Sequence, residues 1–336
     1  LSLPGTKACL PEVRKIQEAD HPTWAFECPQ RIREHAFSDA VAAVKNAKVK
    51  SSKEGFQLVH FRKKKDPTQR FGFDKQSLKE DFVFSPKYRA SFYATEKVLA
   101  DKEGTEIIKE SGRFFLIIPK TRPIQKPDSQ RFSVASLDPG IRTFQTIFSP
   151  ELEGKIGQQD FKEIYRLCIR MDKLTSKLSK ARCKAKQNMK RALSRIRWAI
   201  KDKVNELHHK TTYFLVTMYD VILLPTFETS QMVTKLRSKS ARAMLTFAHY
   251  RFKKFLKAKA EEYSCTVVET NEAYTSKTCS YCGTLHNIGS KKVLKCTCGI
   301  TVDRDINGAR GNFIKNFHLA LLALTTLNKG VTVNEC

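Results

Sequence analysis

Four cysteines stand close together in the 336-residue chain, as Cys279-Ser-Tyr-Cys282-Gly283 and Cys296-Thr-Cys298-Gly299. Each pair ends in Cys-Gly, the pattern of a backbone that turns tightly to present two sulfurs to one ion, and four thiolates suit a single structural Zn2+. The second pair is separated by one residue instead of the usual two, which tightens the chelate. Loss of zinc, or His286 in place of one thiolate, is the alternative. A closed four-sulfur site has no open position for water or substrate, so catalysis belongs to other residues. Three carboxylates offer it. Asp138 ends one apolar run, Glu272 follows another, and Asp305 lies in Asp303-Arg304-Asp305-Ile306-Asn307-Gly308-Ala309. Converging at strand and helix ends, such acids repel unless hard divalent cations neutralise them, and Mg2+ is the natural candidate. Two such ions about 3.5–4 Å apart can activate a water and stabilise the leaving oxygen of an in-line phosphodiester attack. A cap or dipole role is the alternative for Asp305. For Asp303 it is the preferred reading, as helix N-cap or partner of a nearby base.

The charge balance points the same way. Lys and Arg number 61 against 34 Asp and Glu, a net +27 with pI about 9.7, more than solubility needs and suited to a polyanion. Nucleic acid comes first and an acidic membrane surface second. With 41% hydrophobic residues a core can form, and no apolar run reaches membrane-spanning length. The start, Leu1-Ser2-Leu3-Pro4-Gly5, carries neither an initiator methionine nor a secretory signal, so a soluble, intracellular and N-terminally truncated chain is expected. Six of the ten cysteines scatter, which argues for metal at the cluster rather than disulfides.

Elements must hold these residues in place. Pro29 to Lys48 predicts a packing helix through Ile32, Ala36, Ala40, Val41 and Val44, with Pro29 in its first turn. Residues 56 to 119 predict several strands (FQLVHF, RFGF, SFYA, RFFLIIP), and Arg62-Lys63-Lys64-Lys65 lies at a strand end, as a solvated loop, a phosphate contact or an import signal. Thr121 to Gln130 is the expected boundary. Phe132 to Asp138 and Thr143 to Phe148 predict a hairpin turning at Asp138-Pro139-Gly140. A seam of Ile164, Leu167, Met171, Leu174, Leu178, Ala181 and Ala185 predicts one helix, and Leu193, Ile196, Ile200, Val204 and Leu207 a second packed back on it. Between Lys162 and Lys210, 16 Lys or Arg face 4 Asp or Glu. Lys173, Lys177, Lys180, Arg182, Lys184, Lys186, Lys190, Arg191, Arg195 and Arg197 are therefore candidate phosphate contacts, a merely solvated face being the rival. Tyr219 to Leu224 and Cys265 to Thr270 predict strands. Ala241 to Tyr263 predicts a helix with Met244, Leu245, Ala248, Phe252, Phe255 and Leu256 inward. Asp305 opens another through Ile306, Ala309, Phe313, Phe317, Ala320, Leu321 and Leu324. The alternation makes residues 131–325 α/β. At most one of His208 and His209 is expected to be buried, and Trp24 and Trp198 are read as packing residues rather than base-stacking ones.

The stretch Tyr274-Thr-Ser-Lys-Thr-Cys-Ser-Tyr-Cys-Gly, then Cys-Thr-Cys-Gly, then Asp303-Arg-Asp-Ile-Asn-Gly-Ala-Arg310 closely resembles the C-terminal signature of TnpB proteins and their eukaryotic relatives, the Fanzor proteins. Ser136-Leu137-Asp138-Pro139-Gly140 resembles the family's first RuvC motif, and Arg31-Ile-Arg-Glu-His-Ala-Phe-Ser-Asp-Ala-Val the segment before its β-rich wedge. The resemblance spans most of the chain. It implies an RNase H-like (RuvC) nuclease with a helical insertion (160–217) and a zinc-knuckle insertion (274–302) within residues 131–325. A wedge-like region (29–125), an N-terminal remnant or linker (1–28) and a C-terminal tail (326–336) complete the organisation. It further implies a guide RNA, target DNA cleaved after heteroduplex formation, and location in the nucleus, or in the cytoplasm of a prokaryotic host. Asp138 and Asp305 match the first and last metal-binding acids. In TnpB the middle acid ends the strand matching Val221–Leu224, but Pro225 follows here. Fanzor proteins use a Glu after the next strand, which corresponds to Glu272, with Glu228 as the local competitor. Family members carry more chain before the segment matching Pro29 to Val44. The sequence is then either a piece of a longer protein or a shortened one with impaired guide binding. The rival function is a catalytically idle nucleic-acid-binding protein derived from such a nuclease.

Overall fold

The computed structural model describes residues 23–60, 63, 66, 68–78, 82–83, 90–91, 96, 104–125, 132–158, 160–226, 238–271, 277–289 and 291–329. The chain divides into two compact units, Leu1–Thr121 and Arg122–Cys336.

In the first unit, α1 (Gln30–Glu54) outruns the expected 29–48, and Pro29, with ψ 137°, caps it instead of joining its first turn. None of its residues is fully buried. Its apolar positions are mostly alanines and valines, and an ion pair from Arg31 (2.8 Å) and a hydrogen bond from His35 (3.4 Å) to Asp74 help fix its N-terminal half. The strands are β1 (Thr68–Phe73), β2 (Phe82–Val83), β3 (Ala90–Ser91), β4 (Thr105–Glu110) and β5 (Arg113–Ile117). β1, β4 and β5 form one antiparallel sheet and β2 pairs with β3. The FQLVHF segment corrects the reading: residues 56–60 are irregular, and Phe56 is 85% exposed. Most of the Arg62–Lys65 run lies outside the described residues.

The second unit is built on a five-stranded sheet. β6 (Phe132–Pro139), β7 (Gln145–Phe148) and β8 (Glu153–Ile156) form an antiparallel meander; α2 (Asp160–Lys180) and α3 (Cys183–Met218) follow. Next come β9 (Tyr219–Pro225), α4 (Ser238–Phe247), α5 (His249–Glu262) and β10 (Thr266–Thr270), then β11 (Val293–Lys295), β12 (Thr301–Asp303) and α6 (Arg304–Lys329). The order is β10-β9-β6-β7-β8, with β9 parallel to β6 and β10 parallel to β9. This is an α/β unit, as expected. Alternation along the strands separates its faces. Ala135, Leu137, Ile222 and Leu224 pack with Leu215, Phe247, Phe252 and Leu256 from α3, α4 and α5. Val134, Val221 and Leu223 pack with Ala320 of α6.

Four helix expectations change. The seam through Ala185 breaks at Ala181–Arg182 without glycine or proline, and Ala185 is exposed; α3 then folds back on α2, joined by Ile164, Cys168, Ile200 and Val204. The single helix over 241–263 is two, because Ala248 adopts a left-handed conformation (φ 49°, ψ 51°). That kink lets Phe247 and His249 both reach the Phe144 ring, at 5.4 and 5.3 Å, and Leu245 turns outward, 61% exposed. In α6 the buried stripe is Asn307, Ala309, Asn312, Asn316 and Ala320, not one running through Phe317 and Leu321, which are 39% and 48% exposed. The same helix continues to Lys329, past the expected tail boundary at 325. His208 is buried, its Nε2–H donating to the Phe247 carbonyl at 2.8 Å, and Trp198 is buried beneath Lys201. The side chain of Trp24 lies outside the described residues.

Candidate metal centres and nucleic-acid face

One row of side chains crosses the sheet where α6 begins. Asp138 pairs with Thr146, and Thr146 with Lys155; on the other side Thr270 pairs with Pro225. The β6–β9 register, Ser136 opposite Leu223, carries Asp138 to the level of Pro225. Directly paired residues share a face, so this row lies on the α6 side. Pro225 fills the place beside Asp138 and offers no carboxylate there.

Helix α6 sits over the row because its buried positions are small or hydrogen-bonding. The Ser136 hydroxyl donates to the Ala309 carbonyl at 3.0 Å, and Asn312 Nδ2 donates to the Leu137 carbonyl at 3.1 Å. Thr270 Oγ1 donates to Asn312 Oδ1 at 3.1 Å, tying β10 to the same helix. At Gly308 the approach is closest: a Cβ there would stand 2.6 Å from Asp138 Oδ2. Asp305 lies three residues before Gly308, on the same helix face. The structure thus brings the start of α6 to Asp138. Glu272 and its competitor Glu228 fall outside the described residues.

Asp303 has the role read for it. Its Oδ1 accepts the backbone N–H groups of Asp305 and Ile306 at 3.0 and 3.4 Å, capping α6. Its other oxygen pairs with Lys155 Nζ at 2.7 Å, and the same ammonium is 4.0 Å from Asp305 Oδ2. Partial burial pushes the Asp303 carboxyl up, but Lys155 and the capping amides outweigh it and hold the group below its ordinary value. The Asp305 side chain is 42% exposed, open to a ligand from solution.

The four cysteines converge. All four sulfurs lie within 4.8 Å of one another; Cys279–Cys298 is 4.0 Å and Cys282–Cys296 3.4 Å. Around an ion bonded at about 2.3 Å to each, tetrahedral sulfurs stand about 3.8 Å apart, so the set fits one tetrahedral metal ion, the tighter second pair included. Gly283 and Gly299 take φ of +79° and +90°, and their N–H groups close turns onto the Cys279 and Cys296 carbonyls. His286 Nε2 borders Cys296 Sγ at 3.1 Å without replacing a sulfur. The Thr284 hydroxyl and backbone lower Cys282 to about 6. At Cys298 the Ile300 amide pulls down, but neighbouring thiols prevail and push it up to about 12. Sulfurs this close do not all ionise without a cation among them.

A clasp that the sequence reading missed joins cluster to helix. Buried Asn307 accepts the Ser280 N–H at 2.9 Å and donates to the Thr278 carbonyl at 2.8 Å, gripping the backbone on both sides of Cys279. Arg310 Nη1 donates to the Ser280 carbonyl at 2.6 Å, with its guanidinium 3.8 Å from the Tyr281 ring centroid, and Arg304 Nη1 donates to the Gly289 carbonyl at 2.9 Å. These residues belong to the quoted Asp303–Arg310 stretch, where the motif alone singled out only its acids.

The ten candidate cations from Lys173 to Arg197 are all exposed. None pairs with a carboxylate among the described residues. Glu163, Asp172 and Glu206 are engaged with Lys203, Arg242 and Lys210, near the base of the hairpin. The hairpin's far end keeps its full charge.

Residues 249–311 match the family model "Cas12f1-like, TNB domain". A protein of Acanthamoeba polyphaga mimivirus, provisionally named a transposase, is 32% identical over 61% of this chain and 44% of its own length. A TnpB-like protein of the same virus is 27% identical over 65% of this chain and 44% of its own length. The chain therefore spans less than half the length of either. A Paramecium bursaria Chlorella virus 1 protein, also provisionally named a transposase, is 26% identical over 87% of this chain and 70% of its own length. Among solved structures, a CRISPR-Cas12f ternary complex is similar at 16% identity and a TM-score of 0.40, over 61% of this chain and 44% of that one. Asp138 lies outside the matched segment while Asp305, the four cysteines and the clasp lie within it; residues 249–311 are similar to the Cas12f1-like TNB domain, and the chain is similar in sequence to the TnpB-like proteins.

Proposed function

We propose that this chain is a metal-dependent DNA endonuclease of transposon origin, directed by a guide RNA, with Asp138, Glu272 and Asp305 as its metal-binding acids. The observation that carries the reading is the approach of α6 to Asp138, with Gly308 leaving room for the carboxylate and Asp305 one turn away. Carboxylate oxygens suit a hard divalent cation, and Mg2+ is the natural one. Bound there, a pair of Mg2+ ions would supply an activated water and stabilise the leaving oxygen of a phosphodiester. Asp138, on a central strand, and Asp305, in the first turn of α6, hold the ligand oxygens. Asp303 and Lys155 fix the helix start, and Asn312 holds α6 against β6 and β10. Zn2+ in the four-cysteine cluster would brace the same helix through Asn307 and Arg310.

The exposed cations of α2 and α3 suit a phosphate backbone, the guide RNA and target DNA being the proposed polyanions. Pro225, standing where TnpB has an acid, supports assignment to the eukaryotic Fanzor branch and hence nuclear location. The test is cleavage of DNA in Mg2+. Asp138→Ala, Glu272→Gln and Asp305→Ala are each expected to abolish cutting while leaving RNA binding nearly unchanged. Full cutting by Glu272→Gln would transfer the middle role to Glu228 or dismiss the triad. Loss of RNA binding in all three variants would instead indicate a folding defect. A chain that binds RNA and never cuts would be the idle binding protein.

A further inference from the structure

At the base of the basic hairpin lies a groove of about 300 Å3, at the lower end of the size range of small-molecule sites. Its floor is apolar, with Cys168 and Met171 from α2 and Val204 from α3. Its rim is cationic: Arg197 from α3, Arg242 from α4 and Arg251 from α5. Among the described residues no carboxylate lines it. Arg251 is already oriented by Asn205 Oδ1, so less side-chain freedom is lost when a ligand arrives, whereas both oxygens of Asp172 offset the charge of Arg242 and leave Arg197, Lys201 and Arg251 as the cations facing a ligand. Arg197 belongs to this rim and to the exposed cationic face alike, making the groove continuous with that face.

We infer that this groove receives one unpaired nucleotide of a nucleic-acid strand, its base on the Cys168–Met171–Val204 floor and its phosphates on the arginine rim. The inference rests on the proposed nucleic-acid-binding reading and goes beyond it by naming a site for a single base. An apolar floor ringed by cations complements a ligand with a flat, weakly polar body and a phosphate at its edge. Guanidinium planes also stack on bases as well as pairing with phosphates. A duplex keeps its bases stacked inside and cannot place one on the floor, so the groove discriminates single strands by shape.

The test uses the full chain with single-stranded 12-mers, one DNA and one RNA, each carrying 5-iodouracil, and with a duplex of the same sequence. After irradiation, cross-links are expected within residues 168–171 and 246–251 from a single strand and not from the duplex; DNA or RNA, whichever dominates, identifies the strand. Met171→Trp, which fills the floor from a half-buried position, is expected to remove those cross-links and weaken single-strand affinity about fivefold or more, with duplex affinity within twofold. Arg251→Gln, at an exposed residue, is expected to act in the same direction, which guards against a folding failure of the tryptophan variant. Cross-links confined to Lys173–Arg195, unchanged binding in both variants, or equal competition by polyglutamate would overturn the groove assignment. If oligonucleotides bound while cross-linking elsewhere, the groove alone would fall. If no oligonucleotide bound at all, the nucleic-acid reading would fall with it.

Discussion

The two faces of the five-stranded sheet solve the same packing problem with different chemistry. Against α3, α4 and α5 the filling is aromatic and aliphatic: Phe144 is fully buried and meets His208, Phe247, His249 and Phe252, with ring centroids 4.9 to 5.4 Å away. Against α6 an aliphatic patch of Val134, Val221, Leu223 and Ala320 is joined by small and polar positions that set the approach of the helix. Asn307, Asn312 and Asn316 are buried, each has hydrogen-bond partners, and Gly308 stands where any side chain would collide with Asp138. Apolar burial is strong but non-directional, whereas a buried amide is tolerated only with its partners in place. The first face therefore holds the sheet together, and the second fixes how α6 lies over it. Asp138 and Asp305 are on the second.

The sharpest way to break that contrast is to hollow out the first face. Phe144→Ala is expected to cost about 3–5 kcal/mol of unfolding free energy, seen as a large fall in the denaturation midpoint. At temperatures where the variant remains folded, its Mg2+-dependent cleavage should stay near that of the parent. A selective loss of cleavage at full stability would mean that the aromatic face also sets the site. Gly308→Ala is the reciprocal experiment. The added Cβ would fall 2.6 Å from Asp138 Oδ2, forcing the carboxylate to move. A misplacement of about 1 Å at a reacting centre can cost about 100-fold in rate. Cleavage is expected to fall by about that factor with the melting temperature only slightly lowered. Equal and small effects on both would remove Asp138 from the site.

The difference between the faces also explains what the sequence disclosed. Aliphatic spacing revealed β5, β6, β7, β9 and β10 and the folded-back α3, because apolar residues repeat with the period of the element that buries them, whereas the short or polar β4, β8, β11 and β12 carried no such signal. Spacing and residue type likewise carried the cysteine cluster and the Asp303 cap. The break at Ala248 was hidden, since nothing but a non-glycine left-handed residue marks it, and tertiary packing around Phe144 enforces it. The burial of α6 was misread for the opposite reason. Asparagines register as solvent-facing, while Phe317 and Leu321 register as inward, yet close approach to β6 needs small or hydrogen-bonding residues and leaves the larger ones outside. The clasp at Asn307 and Arg310 left one trace, its place within Asp303–Arg310, where residue type alone assigns no partner.

That clasp supplies the third test. Asn307→Ala strands the Ser280 N–H and the Thr278 carbonyl in a partly buried place, at about 1 kcal/mol. Its distinguishing effect should be on coupling. In the parent, a chelator that strips the cysteine cluster is expected to speed hydrogen exchange in the first turns of α6 as well as around Cys279–Cys298. In Asn307→Ala the α6 amides should already exchange fast and respond little to the chelator. An unchanged α6 response would show that metal in the cluster reaches the helix by another route, such as Arg310 or Arg304.

The smallest effect expected separates the faces by pH. Burial lowers His208 and His249 to about 4, so on the aromatic face both are neutral near pH 7. Because the unfolded chain protonates these rings first, stability is expected to fall as pH drops from about 6.5 towards 4. On the α6 face the sign is set by Asp303, whose carboxyl is held below its ordinary 3.8. Its charge contributes stability above that value and loses it as pH falls through the lower, folded value. Asparagine also caps helices, so Asp303→Asn keeps the cap and removes only the ion pair to Lys155. With both side chains partly exposed, the loss at pH 7 should not exceed about 1 kcal/mol. Melting curves of parent and variant are expected to run apart at neutral pH and to converge below pH 3.8, while sharing the fall between 6.5 and 4. Convergence already at pH 5 would mean that the Asp303 carboxyl is not held below its ordinary value and would leave the Lys155 pair without weight at the start of α6.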